Sequence, residues 1–183
     1  ISRTFRDQSR TAGNPGGAEL TMTYVAELVQ EQLSVAAIHR LYDLDNDLLL
    51  SVLSSHYDTA DAGRVGPHTI SEMDTRGSLC LVSPDGNGKF LTPRPETFDG
   101  VRDMDSARLE HALRNTGHSV TYQHGVTEVV SKLVAGVAAS AILIRPVSLA
   151  EIRRTADTGE LMPPKSTFFT PKLRTGMVMR DLN

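Results

Sequence analysis

The run from Met162 to Arg180, MPPKSTFFTPKLRTGMVMR, holds the residue types best suited to gripping an anion. Pro163, Pro164 and Pro171 stand around Lys165, Ser166, Thr167, Lys172 and Arg174, and no acidic residue interrupts them. Proline fixes φ and lowers the entropy lost on binding, so such a segment can hold hydroxyl and ammonium donors in place. Lysine is a flexible point charge suited to phosphate, and serine and threonine hydroxyls complete such sites. Lys165, Ser166, Thr167 and Lys172 are therefore the phosphate-binding candidates. The competing reading is a proline-stiffened lead into a strand, its basic residues solvated. The run lacks the glycines of a P-loop, which excludes a nucleotide cradle of that kind.

Histidine is the second chemistry-bearing type, at His39, His56, His68, His111, His118 and His124. None shows a metal-binding spacing, and the single cysteine supplies no partner set, so no metal site is expected. His39 falls on the inward face of an expected strand beside Arg40 and reads first as a satisfied structural histidine. His124 directly precedes Gly125 and a helix start, where backbone amides favour anions. His39, Arg40 and His124 are the weaker substrate-site candidates. Asp43, Asp45 and Asp47 lack the glycine of a calcium loop and fit helix capping better. Asp103 and Asp105 fit the same explanation. No serine stands in a GxSxG elbow.

These residues need a scaffold. Ser2–Thr11 has helical composition, ended by Gly13–Asn14–Pro15–Gly16–Gly17. Met22–Leu28 alternates as a half-buried strand, with Leu33–Tyr42 as its expected antiparallel partner. A helix is expected from Asp45 through Tyr57. Residues 58–76 are polar, contain glycine and show little period, which predicts the least ordered stretch. Ser78–Ser83 and Lys89–Thr92 flank a strong hairpin turn at Pro84–Gly88. Pro93–Asp103 reads as a linker or subdomain boundary. Beyond it come a helix through Leu113, a short strand Ser119–Gln123, a helix from Val126, a buried strand Ser140–Arg145, and a helix capped by Ser148 and Glu151. Thr167–Thr170 and Met177–Arg180 can form two final strands. Val129, Val130, Leu133, Ile142, Leu143, Ile144 and Ile152 are expected in one contiguous core. The class is α+β: a mixed, largely antiparallel sheet covered by helices, in one domain.

Composition narrows the function classes. A formal charge of -3 with 5% aromatic residues argues against a dedicated nucleic-acid binder. No apolar run reaches the roughly 18–20 residues needed to cross a bilayer. The lone cysteine, Cys80, lies in the apolar run Leu79–Val82 and reads as a buried strand residue. Nothing resembles a targeting peptide, so the cytoplasm is the default compartment. The chain opens on Ile1, inside an amphipathic stretch, and is expected to be the carboxy-terminal part of a longer protein.

The run Ile142–Ser148, then Gly159–Thr167, Phe169, Pro171–Lys172 and Gly176, resembles the end of the conserved microbial family catalogued as domain of unknown function 1015. Met22–Leu28 and Ile38–Arg40 resemble it more loosely. Members of that family carry an aspartate–glycine–histidine–histidine–arginine motif, similar to one in the ParB and sulfiredoxin superfamily, which includes free-serine kinases. That motif is absent from these 183 residues. The resemblance implies binding of a phosphorylated metabolite or nucleotide. For the intact protein it implies phosphoryl transfer to a small amino acid such as serine, using ATP or ADP with Mg²⁺ held mostly by phosphates. Without the upstream motif the fragment alone is expected to be inactive. Two other readings stay open: a non-catalytic regulatory or protein-interaction module, and ParB-like nucleic-acid binding. Oligomeric state is not legible.

Overall fold

The computed structural model describes residues 2–11 and 34–170. Helix α1, Ser2–Thr11, matches the helical composition of that segment. The expected strands at Met22–Leu28 and Met177–Arg180 lie outside the described residues, as does Lys172.

A six-stranded antiparallel sheet forms the centre, in the order β3-β5-β4-β7-β2-β6. Its strands are β2 (Ile38–Tyr42), β3 (Tyr57–Arg64), β4 (Leu79–Val82), β5 (Asn87–Pro93), β6 (Val120–His124) and β7 (Ser140–Leu143). The class is α+β, as the sequence indicates. Leu79–Val82 and Ser140–Leu143 are buried at every position, because both strands sit mid-sheet with helices on each face.

One face carries Leu79, Leu81, Leu91, Ile142 and Tyr42 against α2 (Asn46–Leu53) and α4 (Asp105–Leu113). The other carries Cys80, Val82, Phe90, Leu41, Ala141 and Leu143 against α3 (Thr69–Arg76) and α5 (Val126–Val134). The core is therefore two clusters rather than one. Leu133, Val129 and Leu143 lie in the second, whereas Ile142 and Ile144 lie in the first. Period-two alternation sends neighbouring strand residues to opposite faces, and the expectation of a single cluster overlooked this. Val130 packs at the edge of the second cluster and Ile152 is only half-buried.

Four further expectations are corrected. Leu33–Tyr42 is not one strand: it divides at Ala37, so that β1 (Ser34–Ala36) pairs with β8 (Phe168–Thr170) in a separate two-stranded sheet. In β2 both faces are covered, so His39, Arg40, Leu41 and Tyr42 are all buried. Residues 58–76 are ordered as β3 and α3. Strand β3 is exposed at Asp58–Asp61 because it is an edge, held by its ladder to β5, which hides the alternation that would signal it. Helix α2 stops at Leu53, since Tyr57 is drawn into the first position of β3 and fully buried there.

Asp45 caps α2, accepting the Asp47 amide at 2.8 Å. Asp105 and Ser106 do not cap α4; Met104 holds that position, and no side chain bonds the helix end. Pro93–Pro95 stops β5, and the following 3-10 turn, Pro95–Phe98, buries Phe98 in the first cluster. Ser148 caps α6 (Leu149–Thr158) by accepting the Glu151 amide at 3.1 Å, and Gly159 closes it at φ 68°. No helix among the described residues is long and apolar enough to cross a membrane.

Candidate functional site

Strand β2 places Ile38, Arg40 and Tyr42 on the face covered by α4, and His39 and Leu41 on the opposite face. Cross-strand pairing sets Tyr122 directly opposite Arg40 and His124 opposite Ile38. The Arg40 guanidinium lies 5.2 Å from the centroid of the Tyr122 ring. It donates from Nη1 to the Ile38 carbonyl and, at 3.3 Å, to that of Lys165. From Nη2 it donates to the Pro164 carbonyl at 3.2 Å.

Arg40 thus fastens the Pro163–Thr167 turn to the sheet. Pro164 and Lys165 form the corner of that turn, and Lys165 is the one non-glycine described residue with positive φ, at 55°. Its side chain is exposed. Ser166 turns the other way: it is buried, donates to the Pro163 carbonyl at 2.6 Å and lies 3.4 Å from the Ser106 hydroxyl on α4. Thr167 is half-buried. Phe168, next along, stacks on His124 with ring centroids 4.3 Å apart. The geometry therefore gathers Arg40, His124, Lys165, Ser166 and Thr167 around one end of β2 and β6. Lys165 alone among them offers an exposed ammonium.

His39 stays apart, facing inward. Its Nδ1 accepts the Ile144 amide at 3.3 Å, which fixes the proton of the neutral ring on Nε2. Burial, reinforced by His124 and Arg40, lowers its pKa to about 4. Its burial and its bond to the Ile144 amide are what a structural histidine on an inward strand face would show.

A second cleft, of about 230 Å³, opens where β7 ends between the N-termini of α4 and α6. Arg145 and Asp105 face each other in it. Asp105 accepts from the Arg145 amide at 2.8 Å, from Nε at 3.0 Å and from Nη2 at 2.6 Å. The hydrogen bonds to Asp105 outweigh burial and raise the Arg145 pKa. Nearby, Arg102 pairs with Glu151 at 2.8 Å and Glu160 at 3.0 Å, and donates to the Leu161 carbonyl at 3.2 Å. That ties the chain leaving α6 to the start of α4 and sets the path into the turn. Asp103, expected as a cap, pairs with Arg108 at 2.9 Å instead.

Sequence reasoning missed both arginine assemblies. Nothing in a separation of 40 residues signals the Asp105–Arg145 pair. Arg40 was closer to legible, because Ile38, Arg40 and Tyr42 share a face on which a cation among apolar neighbours needs a reason. Among the described residues no group of three or more His, Cys, Asp or Glu could hold a metal ion.

No family model matches the chain, and no curated protein matches it. Solved structures do match in fold. A conserved hypothetical protein from Pyrococcus furiosus aligns at TM-score 0.55 and 11% identity over 80% of this chain and 60% of its own. Free serine kinase in complex with AMP aligns at TM-score 0.54 and 11% identity, over 80% of this chain and 58% of that one. A mutant free serine kinase in complex with ADP aligns at TM-score 0.52 and 13% identity, covering 81% and 58%. At these identities the likeness is one of fold, and this chain spans about three fifths of the length of each, 58–60%.

Proposed function

We propose that this chain binds the phosphate of a nucleotide of the AMP or ADP type and belongs to a small-molecule phosphotransferase acting on a serine-like acceptor. The observation that carries the reading is the Pro163–Thr167 turn, pinned to β2 by Arg40 so that Lys165 projects outward. Support from outside the chain is the fold shared with free serine kinase in complex with AMP or ADP.

Phosphoryl transfer demands positioning and charge neutralisation more than covalent chemistry from the protein. A lysine on a proline-stiffened turn supplies a cation whose backbone is already ordered, which lowers the entropy cost of gripping phosphate. Thr167 offers a hydroxyl beside it, and Lys172 a second ammonium in the same basic run. Ser166 supports the turn from within, through Pro163 and Ser106. Among the described residues no cluster of acids, histidines or cysteines could hold a metal ion, so a magnesium ion would be held mostly by the phosphates.

The test is ligand-linked stability. AMP and ADP titrated separately should raise the melting temperature in a saturable way. Lys165→Met combined with Lys172→Met should abolish the rise while leaving the ligand-free melting temperature nearly unchanged. An equal response in the double variant would overturn the assignment of these lysines. No response to either nucleotide would overturn the nucleotide reading.

A further inference from the structure

Beneath the turn lies a feature that nucleotide binding at Lys165 does not use. Arg40 is only 4% exposed, yet among the described residues no carboxylate stands within 4.0 Å of its guanidinium. Every other buried or half-buried arginine around the two clefts has an acid: Arg102 has Glu151, Arg108 has Asp103 and Arg145 has Asp105. Removing a cation from water without a counter-charge is expensive, and neutral carbonyls offset only part of that cost.

The partners of Arg40 are backbone carbonyls at Ile38, Pro164 and Lys165, with the Tyr122 ring against its face. These take two protons from Nη1 and one from Nη2. The Nε–H and the second Nη2 proton have no protein acceptor among the described residues. In a planar guanidinium that edge can present two parallel donors, the fork that suits an oxyanion.

A small pocket of about 50 Å³ opens beside this side chain, between β2, β6 and α4. Its polar lining is Arg40, Tyr42, Ser106, Glu110, His118 and Tyr122, and three apolar side chains from α4 and β6 complete the wall. Three hydroxyl-bearing side chains and a buried cation therefore border one space just large enough for a small group. We propose that this pocket is a binding site for a small oxyanion of about phosphate size, held by Arg40 with the Tyr42 and Tyr122 hydroxyls as its neutral donors, while Ser106 donates to Ser166 at its edge.

Glu110 is the opposing charge. It is the one carboxylate lining the pocket, and it lies on the exposed side of α4, at the rim. Burial lowers the Arg40 pKa, and the pull of Tyr42, Tyr122 and Glu110 offsets this only in part; Glu110 makes no ion pair with the guanidinium. A rim carboxylate that can turn to solvent moderates anion affinity and does not fill the site. The inference is separate from the nucleotide reading: it concerns the floor under the turn, and it requires no ammonium from Lys165.

Inorganic phosphate is the probe, titrated into the full chain and followed by calorimetry, with sodium chloride at matched ionic strength as control. Saturable binding of phosphate and none of chloride is expected. Tyr122→Phe, which keeps the ring over Arg40 and removes one donor, should weaken phosphate about tenfold or more. Glu110→Gln should tighten it several-fold, and a fold-neutral loss of binding in that variant would overturn the proposal. So would a Tyr122→Phe protein with unchanged affinity, since the anion would then lie elsewhere. Lys165→Met separates the two sites: phosphate binding lost in that variant places the anion on the turn and overturns the pocket. Phosphate binding that persists while the AMP and ADP responses disappear supports both sites independently. If Glu110→Gln and the parent both ignore phosphate, Arg40 is satisfied by carbonyls and water alone, and the proposal fails.

Discussion

Asp105 grips Arg145 with both carboxylate oxygens and also accepts the Arg145 backbone amide, at 2.6 to 3.0 Å. The pair locks the first turn of α4 to the residue that follows Ile144, at the point where the chain leaves β7. Asp105 has a side chain only 5% exposed, so its charge is well removed from water. Asp105→Ala leaves a half-buried guanidinium without its acid and should cost about 3–5 kcal/mol. Urea unfolding checks this, and a loss below about 1 kcal/mol would reduce the pair to an ordinary surface contact.

His39 sets an acid limit on stability. Its folded pKa lies at about 4, chiefly because of burial, then because of His124 and Arg40, against 6.5 when unfolded. A depressed folded pKa means that the unfolded chain binds the proton first. The stabilisation is therefore fully present above pH 6.5 and drains away as pH falls from 6.5 toward 4. The difference corresponds to about 3 kcal/mol. Unfolding free energies at pH 7 and pH 4.5 should differ more in the parent than in His39→Gln, whose side chain cannot titrate. Equal slopes in the two proteins would show that His39 contributes nothing to the acid limb.

The sheet divides the core, and mutational energetics should follow that division. Leu53 belongs to the cluster under α2 and α4, whereas Leu133 belongs to the one under α3 and α5. Alanine at either should cost about 2–5 kcal/mol, since both are essentially fully buried. The double substitution should be additive to within about 0.5 kcal/mol, because no shared neighbour couples them. A larger coupling would mean that the two faces act as one core.

Glycine gives an opposed pair of predictions. A Cβ on Gly88 would lie 2.6 Å from Val65 Cγ2 and 2.8 Å from Cys80 Sγ. Both neighbours are buried, so Gly88→Ala should cost about 1–3 kcal/mol through overpacking. A Cβ on Gly117 would meet nothing within 4 Å, and its φ is not in the left-handed region. Gly117→Ala should therefore stabilise by about 0.4–1 kcal/mol, through the unfolded chain. A Gly88→Ala midpoint that does not fall would contradict the packing seen around Gly88, and a Gly117→Ala midpoint that falls would contradict the open space at Gly117.

The contrast between legible and hidden features has a physical basis. Ser140–Leu143 and the hairpin around Pro84–Gly88 were readable because burial or turn chemistry is written in contiguous residues. The capping by Ser148 was readable for the same reason, although Glu151 spends its carboxylate on Arg154 and Arg102. Strand β3 was hidden because an exposed edge such as Asp58–Asp61 carries no apolar period. Arg40 was marked only as a weaker candidate, since its anchoring partners, Pro164 and Lys165, lie some 125 residues away. Lys165, Ser166 and Thr167 could be singled out by type, but not the inward turn of Ser166, which depends on where Ser106 sits.

Lys165 itself offers the sharpest separation of folding from binding. It occupies φ 55°, a region that costs a non-glycine residue roughly 1–2 kcal/mol. Its exposed side chain makes no hydrogen bond that would offset this among the described residues; only its carbonyl is used, by Arg40. Lys165→Gly relieves the left-handed penalty while adding about 0.5–1 kcal/mol of unfolded-state entropy. The net stability should thus stay within about 1 kcal/mol of the parent, on the favourable side. The AMP- or ADP-dependent rise in melting temperature should nevertheless shrink, because the ammonium is gone. Lys165→Met should lose the same response but keep the strain, and so melt slightly below Lys165→Gly without ligand. A glycine variant that is markedly less stable than the parent would show that the side chain holds the turn together, and that the strain at this corner serves the fold rather than a ligand.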